Sequence, residues 1–226
     1  MVYENIRPAV FLSRPNRFIA QIEIEGKQQI CHVKNTGRCR ELLVPNAPIF
    51  VQESDKPERK TKYDLISVQK GTRLINIDSS APSRVFQEWV LTKSPFPELT
   101  KIQPEQKHGD SRFDFYLEFG GKAAFAEMKG VTLEQEGVVR FPDAPTERGV
   151  KHLNGLIQCL KEGYGAYAVF VIQMQGVRYL EPNWNTHREF GDAMRKAAAA
   201  GVQILALDCR VTENSIVAND FVEVRL

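Results

Sequence analysis

At 226 residues, with 42% apolar and 26% charged residues, the chain is long enough for one large domain or two small ones, and it is too apolar for wholesale disorder. The longest apolar run, around residues 166–172, is far too short for a bilayer, and residues 1–7 lack the apolar stretch of a secretory signal, so a cytoplasmic protein with no membrane partner is expected. The net charge of +2 is uneven: residues 1–82 hold 13 Lys and Arg against 9 Asp and Glu, while residues 83–226 hold 17 against 19. A modestly basic front half suits a polyanionic partner, although chance surface variation produces the same imbalance.

Residues 17–25 alternate, with Phe18, Ala20, Ile22 and Ile24 on one face, as a half-buried strand requires. Gly26-Lys27 reads as a turn and residues 29–33 as the returning strand. Short apolar runs follow at 42–44, 49–52, 65–68 and 74–77, separated by Asn35-Thr36-Gly37, Pro45-Asn46 and Lys70-Gly71. No helical period interrupts them, so residues 1–82 are expected to form a small OB-like β-barrel.

Ser79-Ser80-Ala81-Pro82 marks a boundary, and Ser83 is the expected N-cap of a helix that carries Val85, Phe86, Trp89 and Val90 on one stripe and stops before Ser94-Pro95. Beyond it the pattern becomes mixed α/β. Strands are expected at 113–118, 123–133, 167–173 and 202–208, with helices at 147–161 and 187–200 ending at Gly163 and Gly201. The four cysteines form no C-x-x-C pair, which argues for free thiols rather than a zinc ribbon.

The chemistry concentrates in this second half. Glu127 and Lys129, two apart on a strand, share a face, while Met128 points away. By itself the pair is an ordinary charged strand. A hairpin at Gly120-Gly121, however, brings Asp114 of the preceding strand beside Glu127. Two close carboxylates repel unless a cation or proton lies between them, and oxygen ligands suit Mg²⁺ or Mn²⁺. Lys129 beside such an ion is placed to orient a water or stabilise charge on a phosphorus centre. The structural alternative is a buried ion pair of Lys129 with either acid. Glu88, on the first helix, is a further candidate ligand or else an exposed helix residue.

Residues 140–152 pack charge, Pro and Gly into a loop that leads to a helix, with Asp143, Thr146 and Glu147 as candidate caps. Arg148, Lys151 and His152 in its first turns oppose the helix dipole and make better sense where a phosphate binds. Arg112 is expected to face the same phosphate. In the front half Lys34, Arg38 and Arg40 surround the Asn35-Thr36-Gly37 turn, and Lys56, Arg59, Lys60 and Lys62 form a second cluster that reads equally as a solvated loop.

The strings Asn35-Thr-Gly-Arg38, Ser111-Arg-Phe-Asp114-Phe, Glu127-Met-Lys129 and Phe141-Pro-Asp-Ala-Pro-Thr-Glu-Arg-Gly-Val-Lys-His-Leu153 together resemble the sugar fermentation stimulation protein A (SfsA) family across almost the whole chain. The resemblance implies an OB-like barrel over 1–82 and a PD-(D/E)XK restriction-endonuclease-like α/β domain over 83–226. It implies DNA binding with little sequence preference and a regulatory link to sugar, especially maltose, metabolism. Asp114, Glu127 and Lys129 match that motif. Met128 replaces the more usual Val, and Gly155 stands where relatives often carry Glu. Three functions therefore compete: a DNA-binding regulator with a nuclease-like metal site, an active Mg²⁺- or Mn²⁺-dependent nuclease, and a protein-binding barrel on an inert domain. The pattern leaves open single-stranded DNA or RNA as the partner and the oligomeric state, a homodimer included.

Overall fold

The computed structural model describes residues 1–35, 37–93 and 95–226. In the front half, strands β1 (Ile6–Asn16), β2 (Ile19–Ile24), β3 (Lys27–Val33), β4 (Pro48–Glu53), β5 (Tyr63–Lys70) and β6 (Arg73–Asn76) form one sheet in the order β3-β2-β1-β4-β5-β6. A parallel pairing of β3 with β5 closes the first five into a barrel, so no long sheet edge is left open. The alternation expected over 17–25 holds from Ala20 onward, with Ala20, Ile22 and Ile24 buried. Phe18 breaks it and is 45% exposed, because Asn16 turns the chain first, its side-chain oxygen accepting the N–H groups of Phe18 (2.9 Å) and Ile19 (3.1 Å).

Two expectations for this half need correction. Residues 42–44 form no strand; Leu42 and Leu43 instead plug the barrel core from a turn in which both N–H groups reach the Cys39 carbonyl. Strand β1 was not anticipated, since Pro8 and Pro15 both lie within it. Thr36 and Ser94, central to one expected turn and one expected helix stop, lie outside the described residues.

The second half opens with α1 (Ala81–Lys93), so Ser83 lies within the first turn rather than at the cap. Strands β7 (Leu99–His108), β8 (Ser111–Phe119) and β9 (Lys122–Val131) form a meander. Then come β10 (Leu133–Gln135), β11 (Val138–Phe141), α2 (Glu147–Lys161), β12 (Gly165–Ile172), β13 (Tyr179–Pro182), α3 (Arg188–Ala200), β14 (Gln203–Thr212), β15 (Ser215–Phe221) and β16 (Glu223–Val224). The main sheet runs β15-β14-β12-β9-β8-β7, parallel from β9 through β12 to β14 and antiparallel toward both edges. A smaller sheet, β10-β11-β13-β16, stands beside it.

The main sheet is covered on both faces. Val85, Phe86, Trp89 and Val90 of α1 pack on Phe115, Leu117, Ala126, Met128, Val169 and Val171. On the opposite face Leu153, Leu156 and Ile157 of α2 and Phe190, Ala193 and Met194 of α3 pack on Phe125, Val131, Phe170 and Ile172. Helix α2 keeps its expected bounds because the Thr146 hydroxyl accepts the Gly149 N–H (3.0 Å) at its start. Helix α3 stops at Gly201, whose φ of 101° is left-handed.

The chain start belongs with this second half. Tyr3 N–H donates to the Asn214 carbonyl, and Met1 and Tyr3 lie in the α1-side core. Barrel and α/β domain are joined by buried polar groups: Lys34 pairs with the fully buried Asp78 (2.7 Å), and Gln173 Nε2 donates to Asn76 (2.9 Å) and to the Asp78 carbonyl (3.0 Å). Lys70 and Arg73 both grip Glu134, each at 2.8 Å.

Candidate metal centre

Strand β9 sets the site. Its ladder with β8 runs from the tight turn at Gly120-Gly121, both at positive φ, to the pair Phe115–Ala126. Beyond that pair Asp114 supplies the acceptor itself, its Oδ2 taking the Met128 N–H at 2.7 Å. Met128 turns into the α1 core, while Glu127 and Lys129 turn toward α2.

Lys129 Nζ lies 2.5 Å from Glu127 Oε1, and the same oxygen is bonded to Nδ1 of His152, a buried side chain on α2. Arg148 Nε donates to His152 Nε2 at 3.3 Å, which places the ring proton on Nδ1, facing Glu127. The other carboxylate oxygen, Glu127 Oε2, is buried with no hydrogen-bond partner. Such an orphan is costly unless something positive completes it.

The two acids are pushed apart in acidity. Burial and then the neighbouring Glu127 raise the Asp114 carboxyl to about 6, against a smaller pull from the Met128 N–H and Lys129. Burial also works on Glu127, but the hydrogen bonds from His152 and Lys129 outweigh it and hold its carboxyl below the usual range. One acid is thus fully ionised at neutral pH, and its neighbour titrates just below neutrality. These are hard oxygen donors of the kind that Mg²⁺, Mn²⁺ and Ca²⁺ take. Among the described residues no three His, Cys, Asp or Glu side chains converge as a metal-holding set.

The remaining expected site residues divide. Glu88 is not brought to the acids: it lies on α1, across the sheet, and bonds the Met1 amine. A one-dimensional stripe does not say which sheet face a helix covers. Lys34 is committed to Asp78 and Arg112, largely exposed, sits 3.7 Å from Glu105. Arg148 and Lys151 are exposed on the first turns of α2, and His152 is turned inward as described. Arg38 and Arg40 are exposed on the barrel, and Asp143, instead of capping α2, accepts the Arg38 N–H at 3.0 Å. That contact explains Gly37, where a Cβ would sit 2.5 Å from Asp143 Oδ2. Gly155 is explained too: a Cβ there would approach Ser111 Oγ at 2.9 Å and Phe113 Cζ at 3.1 Å, so a glutamate has no room.

A five-stranded closed barrel joined to a helix-covered mixed sheet with a buried acid pair is an OB domain on a mixed α/β domain. The family models agree in kind: "SfsA N-terminal OB domain" matches residues 12–77 and "Sugar fermentation stimulation protein RE domain" matches residues 80–215. Sugar fermentation stimulation protein homologs from Desulfitobacterium hafniense (strain DSM 10664 / DCB-2) and Clostridium beijerinckii are 62% and 56% identical over 226 residues, covering 100% of this chain and 99% and 100% of theirs. The chain therefore belongs to the sugar fermentation stimulation protein (SfsA) family. The solved structure of Pyrococcus furiosus SfsA in complex with Ca²⁺ shares the fold, with a TM-score of 0.87 at 24% identity over 100% of this chain and 98% of that one. Among the described residues no helix is long and apolar enough to cross a membrane, and all four cysteines are free and buried.

Proposed function

We propose that this protein is a cytoplasmic DNA-binding protein whose Asp114 and Glu127 hold a divalent cation, Mg²⁺ or Mn²⁺, in a nuclease-like site. The observation that carries this reading is the buried, unpartnered Oε2 of Glu127 beside an Asp114 whose carboxyl is raised to about 6. The Ca²⁺ bound to the Pyrococcus furiosus relative is consistent with a hard-cation site in this fold. A cation held by these oxygens would neutralise phosphate charge and acidify a bound water. The chain's own residues do the rest. His152 anchors Glu127 Oε1 so that Oε2 stays directed away, and Lys129 places an ammonium 2.5 Å from the same carboxylate, where it can meet a phosphate oxygen. Arg148 and Lys151, exposed on the adjoining helix turns, supply further phosphate contacts.

Calorimetry with Mn²⁺ tests the site: wild type should give a saturable heat that Asp114→Ala abolishes, and equal heats would remove it. Phosphodiester cleavage is the stronger form of the proposal. Incubation of the purified protein with single-stranded, duplex and branched DNA plus Mn²⁺ should yield cleavage that Lys129→Ala reduces by roughly a hundredfold or more. Undiminished activity in that variant would assign the cutting elsewhere. A second reading, binding without turnover in the service of sugar metabolism, is favoured by the relatives' names, which describe fermentation. Bound but intact DNA in the same incubation is its signature.

A further inference from the structure

The barrel carries a feature that the acid pair does not use. Arg14 points a part-buried guanidinium at main-chain oxygens only, those of Arg17 (2.7 Å), Asn35 (2.7 Å), Gly37 (2.9 Å) and Arg38 (2.9 Å). Its Nε–H is buried without a partner among the described residues. Beside it lies a cavity of about 440 Å³, whose lining includes Arg14, Asn16, Arg17, Arg38 and Arg40. None of these four arginines is ion-paired to a carboxylate among the described residues; Asp143, the nearby acid, takes the Arg38 main-chain N–H instead. Arg14 is spent on carbonyls and Glu41 lies nearby, but the guanidinium groups of Arg17, Arg38 and Arg40, around one concavity and with no carboxylate ion pair among the described residues, make an anion site.

The second component is Phe18. Its ring is 45% exposed and follows directly on Arg17, which lines the cavity. Its presentation is built in: Asn16 clamps the N–H groups of Phe18 and Ile19, and the Arg17 guanidinium lies 5.0 Å from the ring centroid. Arg14 in turn holds the Arg17 carbonyl, so ring and cavity are tied to one guanidinium. A rigid aromatic beside unpaired arginines has the chemistry of a base-stacking platform with flanking phosphate contacts.

We infer that this barrel mouth binds single-stranded DNA, with an unpaired base stacked on Phe18 and its phosphates held by Arg38 and Arg40. A duplex keeps its bases stacked internally and offers the ring nothing, so the site selects for unpaired strand. This rests on the nucleic-acid reading above and sharpens it to strandedness.

The test uses the full chain in EDTA, so that the acid pair plays no part. Fluorescence anisotropy compares a labelled oligothymidylate with a blunt hairpin duplex closed by a base-free polyether linker, so that no unpaired base is present. Phe18→Ala should weaken oligothymidylate binding roughly tenfold and leave hairpin binding within about twofold, while Phe18→Trp retains both. Arg38→Ala and Arg40→Ala should each weaken oligothymidylate binding and flatten its salt dependence by roughly one phosphate contact. An unchanged affinity in Phe18→Ala, or an equal loss for strand and hairpin, overturns the stacking site while leaving the DNA-binding reading intact. Failure of wild type to bind either probe sinks both. Circular dichroism guards against a folding defect, which the exposure of Phe18 makes unexpected.

Discussion

The two faces of β9 are built from adjacent residues and have opposite fates. Toward α1, Ala126 and Met128 join Phe86, Trp89, Phe115 and Val169 in an apolar core, with the Met1 ammonium and Glu88 paired at the α1 helix. Toward α2, Phe125 and Val131 begin the same kind of core, but Glu127 and Lys129 interrupt it and His152 comes down to meet them. Burying an ion costs several kcal/mol unless every oxygen is answered. Of the carboxylate oxygens of the acid pair, Oε1 of Glu127 and Oδ2 of Asp114 are answered, and the buried Oε2 of Glu127 has no partner among the described residues. A face that served only stability would have been apolar like its partner. The proposed site occupies one side of a strand whose other side is scaffold.

The largest effect should come from breaking the scaffold side. Phe86 is fully buried and its ring meets those of Trp89, Phe96 and Phe115. Truncation by Phe86→Ala should cost about 3–5 kcal/mol in urea unfolding. If the two faces are separate devices, the variant that remains folded at low temperature should bind Mn²⁺ within about threefold of wild type. A larger change would mean that α1 packing also positions the acids.

The next effect has the opposite sign. Asp114 keeps its carboxyl at about 6 in the folded state, above the ordinary 3.8, because burial and Glu127 oppose its ionisation. The native state therefore holds this proton more tightly than the unfolded chain between those two values. Its contribution to stability is present at low pH and is lost as pH rises through about 6. Asp114→Asn preserves an acceptor for the Met128 N–H and removes the charge. In EDTA the variant should become progressively more stable than wild type from pH 4 to pH 7, reaching an advantage of about 2 kcal/mol. Saturating Mn²⁺ should reverse the order, raising the melting temperature of wild type alone. A variant less stable than wild type at pH 7 in EDTA would mean that Asp114 is a structural acid.

How far each face was readable from sequence follows from the range of the interactions involved. The Gly120-Gly121 hairpin, the Thr146 cap and the Gly201 stop are local, and the bounds of α2 and the nearness of Asp114 to Glu127 followed from them. Strand β7 was invisible because it is a mostly exposed edge carrying Pro104, with no alternation to detect. His152 sits in a run of basic residues that suggested phosphate contact, yet the turn of α2 that exposes Arg148 and Lys151 buries His152 on Glu127. Phe18 was placed inward by parity, but the strand begins only at Ile19 and the Asn16 turn resets the count.

Glu88 provides the smallest effect and the most selective test of the comparison. An acid on the helix before the meander is a natural third ligand when only the order of elements is known. In the folded chain that helix covers the Met128 face, and Glu88, 56% exposed, pairs with the Met1 amine. The pair is one-sided: water reaches the Glu88 carboxylate, while the Met1 ammonium is buried and also donates to the Ile216 carbonyl (3.0 Å), so losing Glu88 leaves it with one acceptor fewer. Glu88→Ala should leave Mn²⁺ calorimetry unchanged and lower urea stability by about 1 kcal/mol, because the buried Met1 ammonium keeps the Ile216 carbonyl as an acceptor. Loss of Mn²⁺ binding would place α1 on the same side as the acid pair and undo the separation of the two faces. Retention would leave Asp114 and Glu127 as the only acids through which one face of β9 differs chemically from the other.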